Sequence, residues 1–233
     1  MLEFMVVLIR WNNMFEGSNY KIDVFKSRQL DTNCYLISTP KGNVVIDPCV
    51  DYKTLSKYGE ITTVLITHGH FDHFDKLETY LNKRISFGMH YKCLEKIRDS
   101  KKNLSSDFGK PISFNLRDEA VVMLANRDLI EVHDMRIMVM STRGHSDCSL
   151  TYILDDFIFT GDFIFKGSIG RTDFYSSNTS TMINSITNFL SYFREDKVLL
   201  PGHGEDTTLI HERRTNYYLK KYANGGDYEF FQY

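Results

Sequence analysis

A β-branched run, Ile61-Thr62-Thr63-Val64-Leu65-Ile66-Thr67, leads directly into His68-Gly69-His70-Phe71-Asp72-His73. Short runs of this kind read as buried strands, so three imidazoles and a carboxylate are delivered together at a strand end. A buried imidazole needs a hydrogen-bond partner or a metal. Clustered imidazoles also resist joint protonation, because like charges repel. A bound cation answers both demands, since it favours neutral imidazole and ionised carboxylate. The alternative is a solvated histidine-rich loop. Phe74, Leu77, Tyr80 and Leu81 recur at helical spacing, which predicts a helix over residues 72–83 with Asp72 and His73 at its start. A carboxylate there also suits the positive end of the helix dipole, a role compatible with ligation.

Three more candidates stand in matching contexts. His145 follows the apolar run Ile137 to Met140, Asp162 follows Phe157-Ile158-Phe159, and His203 follows Val198-Leu199-Leu200. Each lies beside a glycine, which lets backbone approach a crowded site. Loops at strand ends gather functional groups on one rim of a sheet. Singly, each has an ordinary explanation: a satisfied core histidine, or a turn aspartate. Together they point to one site. Asp47, at the end of Val44 to Asp47, reads by itself as a turn residue before Pro48.

The remaining pattern is strand-rich in both halves. Tyr20 to Phe25, Cys34 to Ser38, Val44 to Asp47 and Ile85 to Phe87 read as strands, followed by a helix and a long loop over 90–118. Met135 to Met140, Leu150 to Leu154, Phe157 to Thr160 and Val198 to Leu200 are strands of the second half. Met182, Ile183, Ile186, Phe189, Leu190 and Phe193 mark an amphipathic helix capped by Asn178, Thr179 or Ser180. Thr207 to Tyr222 reads as a final helix, broken by Gly225-Gly226 before an aromatic tail ending at Tyr233. Two such halves imply two packed sheets with helices outside, an α/β (α+β) arrangement. Residues 1–19 read as an N-terminal extension and 20–233 as a single domain.

Charge narrows the partners. With 28 basic and 30 acidic residues the net charge is −2, and no basic run suggests a nucleic-acid surface. Met1 to Trp11 is apolar but short, contains Glu3 and has no basic n-region; neither a signal peptide nor a membrane span is expected. Cys34, Cys49, Cys93 and Cys148 show no C-x-x-C pairing, so free thiols in a reducing, cytoplasmic setting are expected. Cys148 reads as a space-filling residue. A homo-oligomer is compatible with this composition.

Thr67-His68-Gly69-His70-Phe71-Asp72-His73, G-H-S at 144–146, T-G-D at 160–162 and P-G-H-G at 201–204, in this order, resemble the metallo-β-lactamase fold superfamily over residues 20–220. T-N-C-Y-L at 32–36, I-D-P at 46–48, G-S-I-G-R-T-D at 167–173 and P-G-H-G-E-D-T-T at 201–208 are similar to the glyoxalase II-type hydrolases within it, the hydroxyacylglutathione hydrolases. The resemblance implies a four-layer αββα sandwich of two mixed sheets with outer helices. It implies that His68, His70 and His145 hold one divalent cation, that Asp72, His73 and His203 hold a second, and that Asp162 bridges both. Zinc is the first expectation, with iron and manganese also suited to imidazole and carboxylate. For Asp47 the resemblance implies the alternative to a turn residue, a hydrogen-bond partner of a ligand histidine.

Two such cations share a water and bring its pKa towards neutrality. The expected chemistry is attack by a bridging hydroxide, oriented by Asp72 and Asp162, on a small-molecule thioester such as an acyl-glutathione. A thiolate of pKa about 8.5 leaves without a general acid, and no G-x-S-x-G elbow is present. Arg171 occupies the family's position for a basic residue facing the thiol's carboxylate, and Lys166 and Tyr175 could assist; ordinary surface roles explain these three equally well. The 30 residues after His203 are shorter than the C-terminal helical domain with which such enzymes grip glutathione. Departures from the family pattern are Cys49 for glycine, Arg143 for proline, Asp147-Cys148 for proline-glycine, and Asn216-Tyr217-Tyr218 for N-P-F. G-R-T-D-F at 170–174 also resembles the persulfide dioxygenases, which use one iron, and a catalytically inactive binding protein is the reading of another class.

Overall fold

The computed structural model describes residues 14–17 and 19–223; Met1 to Trp11 and the aromatic tail lie outside the described residues. The first sheet takes its seven strands in chain order: β1 (Met14–Glu16), β2 (Lys21–Lys26), β3 (Asn33–Thr39), β4 (Gly42–Ile46), β5 (Ile61–Leu65), β6 (Ser86–Met89) and β7 (Val121–Met123). Its first four strands pair antiparallel and the rest parallel. Met14–Glu16, inside the segment read as an extension, pairs with β2. Helices α1 (Tyr52–Leu55) and α2 (Tyr91–Ile97) follow β4 and β6.

The second sheet is built from β8 (Leu129–Val132), β9 (Met135–Ser141), β10 (Leu150–Leu154) and β11 (Phe157–Gly161). A hairpin of β12 (Ile164–Phe165) and β13 (Ser168–Ile169) then leads to helix α3 (Thr179–Tyr192). β14 (Val198–Pro201) and β15 (Thr207–Thr208) complete the sheet in the order β15-β14-β11-β10-β9-β8. Helices α4 (Leu209–Thr215) and α5 (Tyr217–Ala223) end the described chain.

The period-2 alternation of strand side chains sorts the core into three layers. Tyr35, Ile37, Val44 and Ile46 face Tyr152, Leu150, Phe159 and Leu200 between the sheets. Leu36, Val45 and Val64 point the other way, onto Leu55, Phe74, Tyr80 and Ile97. Ile153, Ile158 and Leu199 pack outward against Met182, Ile186 and Phe189 of α3. Strands buried on both faces read as near-continuous apolar runs, which Cys34 to Ile37 of β3, Val44 to Ile46 of β4 and Tyr152 to Leu154 of β10 supply. The chain is thus a sandwich of two mixed sheets with helices on both outer faces.

Two expectations need correction. Residues 72–83 are not one α-helix. They form two 3-10 turns, Phe71–His73 and Leu77–Tyr80. His73 N donates to His70 O and Phe74 N to Phe71 O, so the i→i+3 bonds tighten the chain. Phe74, Leu77 and Tyr80 still reach the core. The final helix is also broken, at buried Asn216. Its Oδ1 accepts Tyr218 N at 3.0 Å and starts α5, while its Nδ2 donates to Glu212 Oε2 at 2.8 Å and Ser168 O at 3.0 Å. An asparagine that caps a new helix ends the previous one.

The long segment after α2 is tied down. Asn103 is fully buried. Its Nδ2 donates to Lys96 O at 3.0 Å and Ile112 O at 2.9 Å, and its O accepts Phe71 N at 3.1 Å. No helix of the described residues is long and apolar enough to cross a membrane.

Candidate metal centre

Parallel pairing of β4 with β5 and of β11 with β14 sends their C-terminal ends in common directions, and β9, two antiparallel steps from β11, runs with it. Asp47 follows β4, the 68–73 segment follows β5, and His145, Asp162 and His203 follow β9, β11 and β14. The two rims are stitched together where Asn33 N donates to Gly202 O at 2.7 Å and Leu150 N to Thr67 O at 2.8 Å. All seven predicted ligand residues therefore meet at one end of the sandwich.

They form two overlapping sets. His70 Nδ1 lies 3.0 Å from His68 Nε2 and 2.8 Å from His145 Nε2. In the second set Asp72 Oδ2 is 3.5 Å from His73 Nε2 and 3.1 Å from His203 Nε2. Asp162 touches both: Oδ2 is 3.4 Å from His145 Nε2 and 3.6 Å from His203 Nε2, and Oδ1 is 3.2 Å from His73 Nε2.

The far side of most rings is anchored. His73 Nδ1 donates to Asp47 Oδ2 at 2.7 Å, and Thr67 donates to the same carboxylate through N at 2.8 Å and Oγ1 at 2.7 Å. Thr67 Oγ1 in turn accepts His68 Nδ1 at 3.1 Å. His145 Nδ1 donates to Arg171 O at 2.8 Å, and His203 Nδ1 to Leu30 O at 3.1 Å. These bonds place a proton on Nδ1 and turn Nε2 inward. Thr32 Oγ1 donates to Asp72 Oδ2 at 2.9 Å. The positioning hydroxyls of Thr32 and Thr67 were not singled out from sequence, although both lie inside quoted motifs.

The hydrogen-bond accounting does not close among the protein groups alone. One proton on His70 Nδ1 can serve only one of the two nitrogens facing it. His70 Nε2, His73 Nε2 and Asp162 Oδ1 are buried with no hydrogen-bond partner, and orphaned buried polar atoms are costly. His68, His70 and His145, His68, His73 and Asp162, and Asp72, His73 and His203 each present donor atoms within 4.8 Å of one another. The donor set fits a divalent metal of the zinc, iron or manganese type.

Electrostatics divides the histidines. Burial, reinforced by the neighbouring imidazoles, pushes His68 and His70 well below the usual histidine range, and burial also lowers His145. Burial opposes a charge on His73 too, but Asp72, Asp162 and Asp47 outweigh it and raise its pKa. His203 is raised against its burial by Asp72 and Asp162. Asp72 is brought down to about 2, burial being overcome by His73 and His203; Asp162 is lowered further by the same kind of neighbours.

Residues 28–203 match the model of the metallo-beta-lactamase superfamily. The chain belongs to this superfamily. It is similar to the probable metallo-hydrolase YqgX of Bacillus subtilis (27% identity over 207 residues, 83% of this chain and 95% of the relative). It is also similar to the hydroxyacylglutathione hydrolase GloC of Haemophilus influenzae (28% identity, 85% and 97% covered). Among solved structures, the BLEG-1 B3 metallo-beta-lactamase aligns with a TM-score of 0.78 at 27% identity, covering 85% of this chain and 99% of that one. As in the superfamily at large, function must be read from the site, because one fold hosts many chemistries.

The residues assigned to substrate lie around the rim in a different state from the candidate metal ligands. Arg171 is paired with Asp173, Nε to Oδ1 and Nη2 to Oδ2 both at 2.6 Å, and its guanidinium lies 4.1 Å from the Phe174 ring centre. Lys166 pairs with Glu205 at 2.7 Å. Tyr175 is exposed, beside Lys96. Phe174, which sequence did not single out, stands edge-on to His70 at 5.8 Å between ring centres. His90 caps α2 by accepting Lys92 N, and His133 faces Thr62 Oγ1.

Proposed function

We propose that this superfamily member is a hydrolase with a dinuclear metal centre that cleaves small-molecule thioesters, acyl-glutathione among them. The observation that carries the reading is the reach of Asp162, whose carboxylate approaches His145 of one donor set and both His73 and His203 of the other. His68, His70 and His145 would hold one ion, and Asp72, His73 and His203 the other. When bound, such a pair supplies an acidified water as nucleophile and a Lewis acid for the carbonyl.

The chain's own groups do the rest. Thr67, Asp47 and the Arg171 carbonyl fix which nitrogen of His68, His73 and His145 faces inward. Asp72 and Asp162 are ionised at neutral pH and would hold and orient the attacking water as acceptors. No thiol serves as nucleophile in this reading: all four cysteines are buried. A thiolate leaving group makes a protein acid unnecessary. The similarity to GloC supports the thioester class.

Elemental analysis of the purified protein, joined to a panel of thioesters that includes S-lactoylglutathione, tests this. Two metals per chain and release of free thiol are expected. One iron per chain with oxygen uptake on a glutathione persulfide would replace this reading with the dioxygenase one, and metal-free protein without turnover would leave a binding protein.

A further inference from the structure

Lys96, on α2, is only 3% exposed and belongs to none of the ligand sets. Its stem packs on the Gly69 backbone: a Cβ added to Gly69 would come within 2.7 Å of Lys96 Cδ and 2.8 Å of its Cβ. Its ammonium donates to Ser146 Oγ at 2.8 Å, Asp147 Oδ1 at 2.6 Å and Ser176 Oγ at 2.5 Å. Three acceptors consume the three protons of an ammonium. Asp147 uses its other oxygen for Lys92 at 2.9 Å, and the Tyr175 ring centre is 5.7 Å from Lys96 Nζ.

The placement of these partners gives the lysine a role. Gly69 separates His68 from His70. Ser146 follows His145. Ser176 ends the segment that runs from Arg171, whose carbonyl orients His145, past Phe174, which flanks His70. One buried cation thus joins the three stretches of chain that deliver and orient the three-histidine set. A buried charge is costly unless it is fully paired, and a full set of partners converts that cost into a defined geometry.

We propose that Lys96 is a positioning residue that pre-assembles the His68–His70–His145 set by clamping the 143–149 and 171–176 segments onto α2. The proposal rests on the metal-centre reading for its consequence, and on the clamp geometry for itself. A cation entering a preset triad does not have to order the loops. Loss of the clamp therefore weakens metal binding, by an expected 10- to 100-fold, as for other groups that orient ligands.

The test compares wild type with Lys96→Met, Asp147→Asn and Ser176→Ala. Hydrogen exchange is first measured on the chelator-stripped proteins, and zinc affinity is then measured by competition with a chromophoric chelator. Faster exchange confined to 143–149 and 171–178, with α4 and α5 unchanged, is expected together with the affinity loss at one of the bound ions. A folded Lys96→Met with wild-type exchange in both segments overturns the proposal. If that variant does not fold, the two milder ones decide: each must loosen the segment whose bond to the ammonium it weakens or removes, and unchanged exchange in both again overturns it. Wild-type protein that takes up no zinc refutes the metal-centre reading, while the exchange comparison still judges the clamp.

Discussion

Asp47 accepts the Nδ1–H of His73 at 2.7 Å and, through Thr67 Oγ1, also sets the orientation of His68. One carboxylate thus governs a candidate ligand in each donor set. Asp47→Ala frees both rings and strands the Thr67 amide, a buried donor. Zinc affinity should fall about 10- to 100-fold, with a stability loss of about 1–3 kcal/mol for the unpaired donor. Chelator competition and urea unfolding measure the two. An affinity equal to wild type would show that the rings are held by packing alone.

His70 Nδ1 is the point shared by both short contacts of its set, at 3.0 and 2.8 Å. His70→Ala removes that donor and leaves the other two nitrogens without a third. Turnover should vanish and the metal content per chain should drop, as read by elemental analysis on the folded variant. Normal activity in that variant would contradict the assignment of the set.

Metal uptake should be coupled to pH. Burial works against a charge on His73, but Asp72, Asp162 and Asp47 raise it above its ordinary 6.5, so the metal-free ring binds a second proton more tightly than a free imidazole does. That pairing stabilises the metal-free fold below the unfolded value and is lost as pH rises through the raised folded value. Ligation at Nε2 must expel the proton. His68, His70 and His145 are shifted down and are already neutral, so they release none. Zinc binding at pH 7 should release protons, and the affinity should climb as pH rises. Calorimetry in buffers of different ionisation enthalpy reads the release; an affinity flat from pH 6 to 8 would refute it.

The loops whose histidines and aspartates converge were legible in the sequence because each of these residue types is chemically expensive to bury and stands at the end of an apolar run. Strand alternation and the amphipathic stripe of α3 were legible for the same reason, since burial dictates them. The 3-10 turns at Phe71–His73 and Leu77–Tyr80 were not: their apolar spacing fits an α-helix equally well, and tertiary hydrogen bonds decide between the two. The break at Asn216 depends on acceptors contributed by Ser168 and Glu212, which no local pattern announces. Lys96 looks like any surface lysine until Gly69, Ser146 and Ser176 are brought around it.

Gly202 shows how tightly the second set is packed. A Cβ at this position would collide with Asp162 Oδ1 and lie 2.6 Å from His73 Cε1. Gly202→Ala must displace the one carboxylate that reaches both sets. Metal content and turnover should both fall, turnover by at least about 100-fold, because misplacement by an ångström is enough for such a loss. Circular dichroism should stay native, since the packed layers lie elsewhere. Full activity would mean that Asp162 has room to move without consequence.

Arg171 is held by Asp173 through two contacts of 2.6 Å, both side chains being well exposed. Exposed pairs contribute about 0.2–1 kcal/mol, so a substrate carboxylate needs to repay at most about fivefold in affinity to displace Asp173. Asp173→Asn should therefore lower KM for an anionic thioester by up to about fivefold and leave kcat unchanged. Arg171→Ala should raise that KM while sparing a neutral thioester, because the backbone carbonyl that orients His145 survives the substitution. Steady-state kinetics on a charged and an uncharged acyl thioester of equal length separate these effects. If Arg171→Ala shifts both substrates alike, the guanidinium acts through its stacking on Phe174 rather than by reading charge.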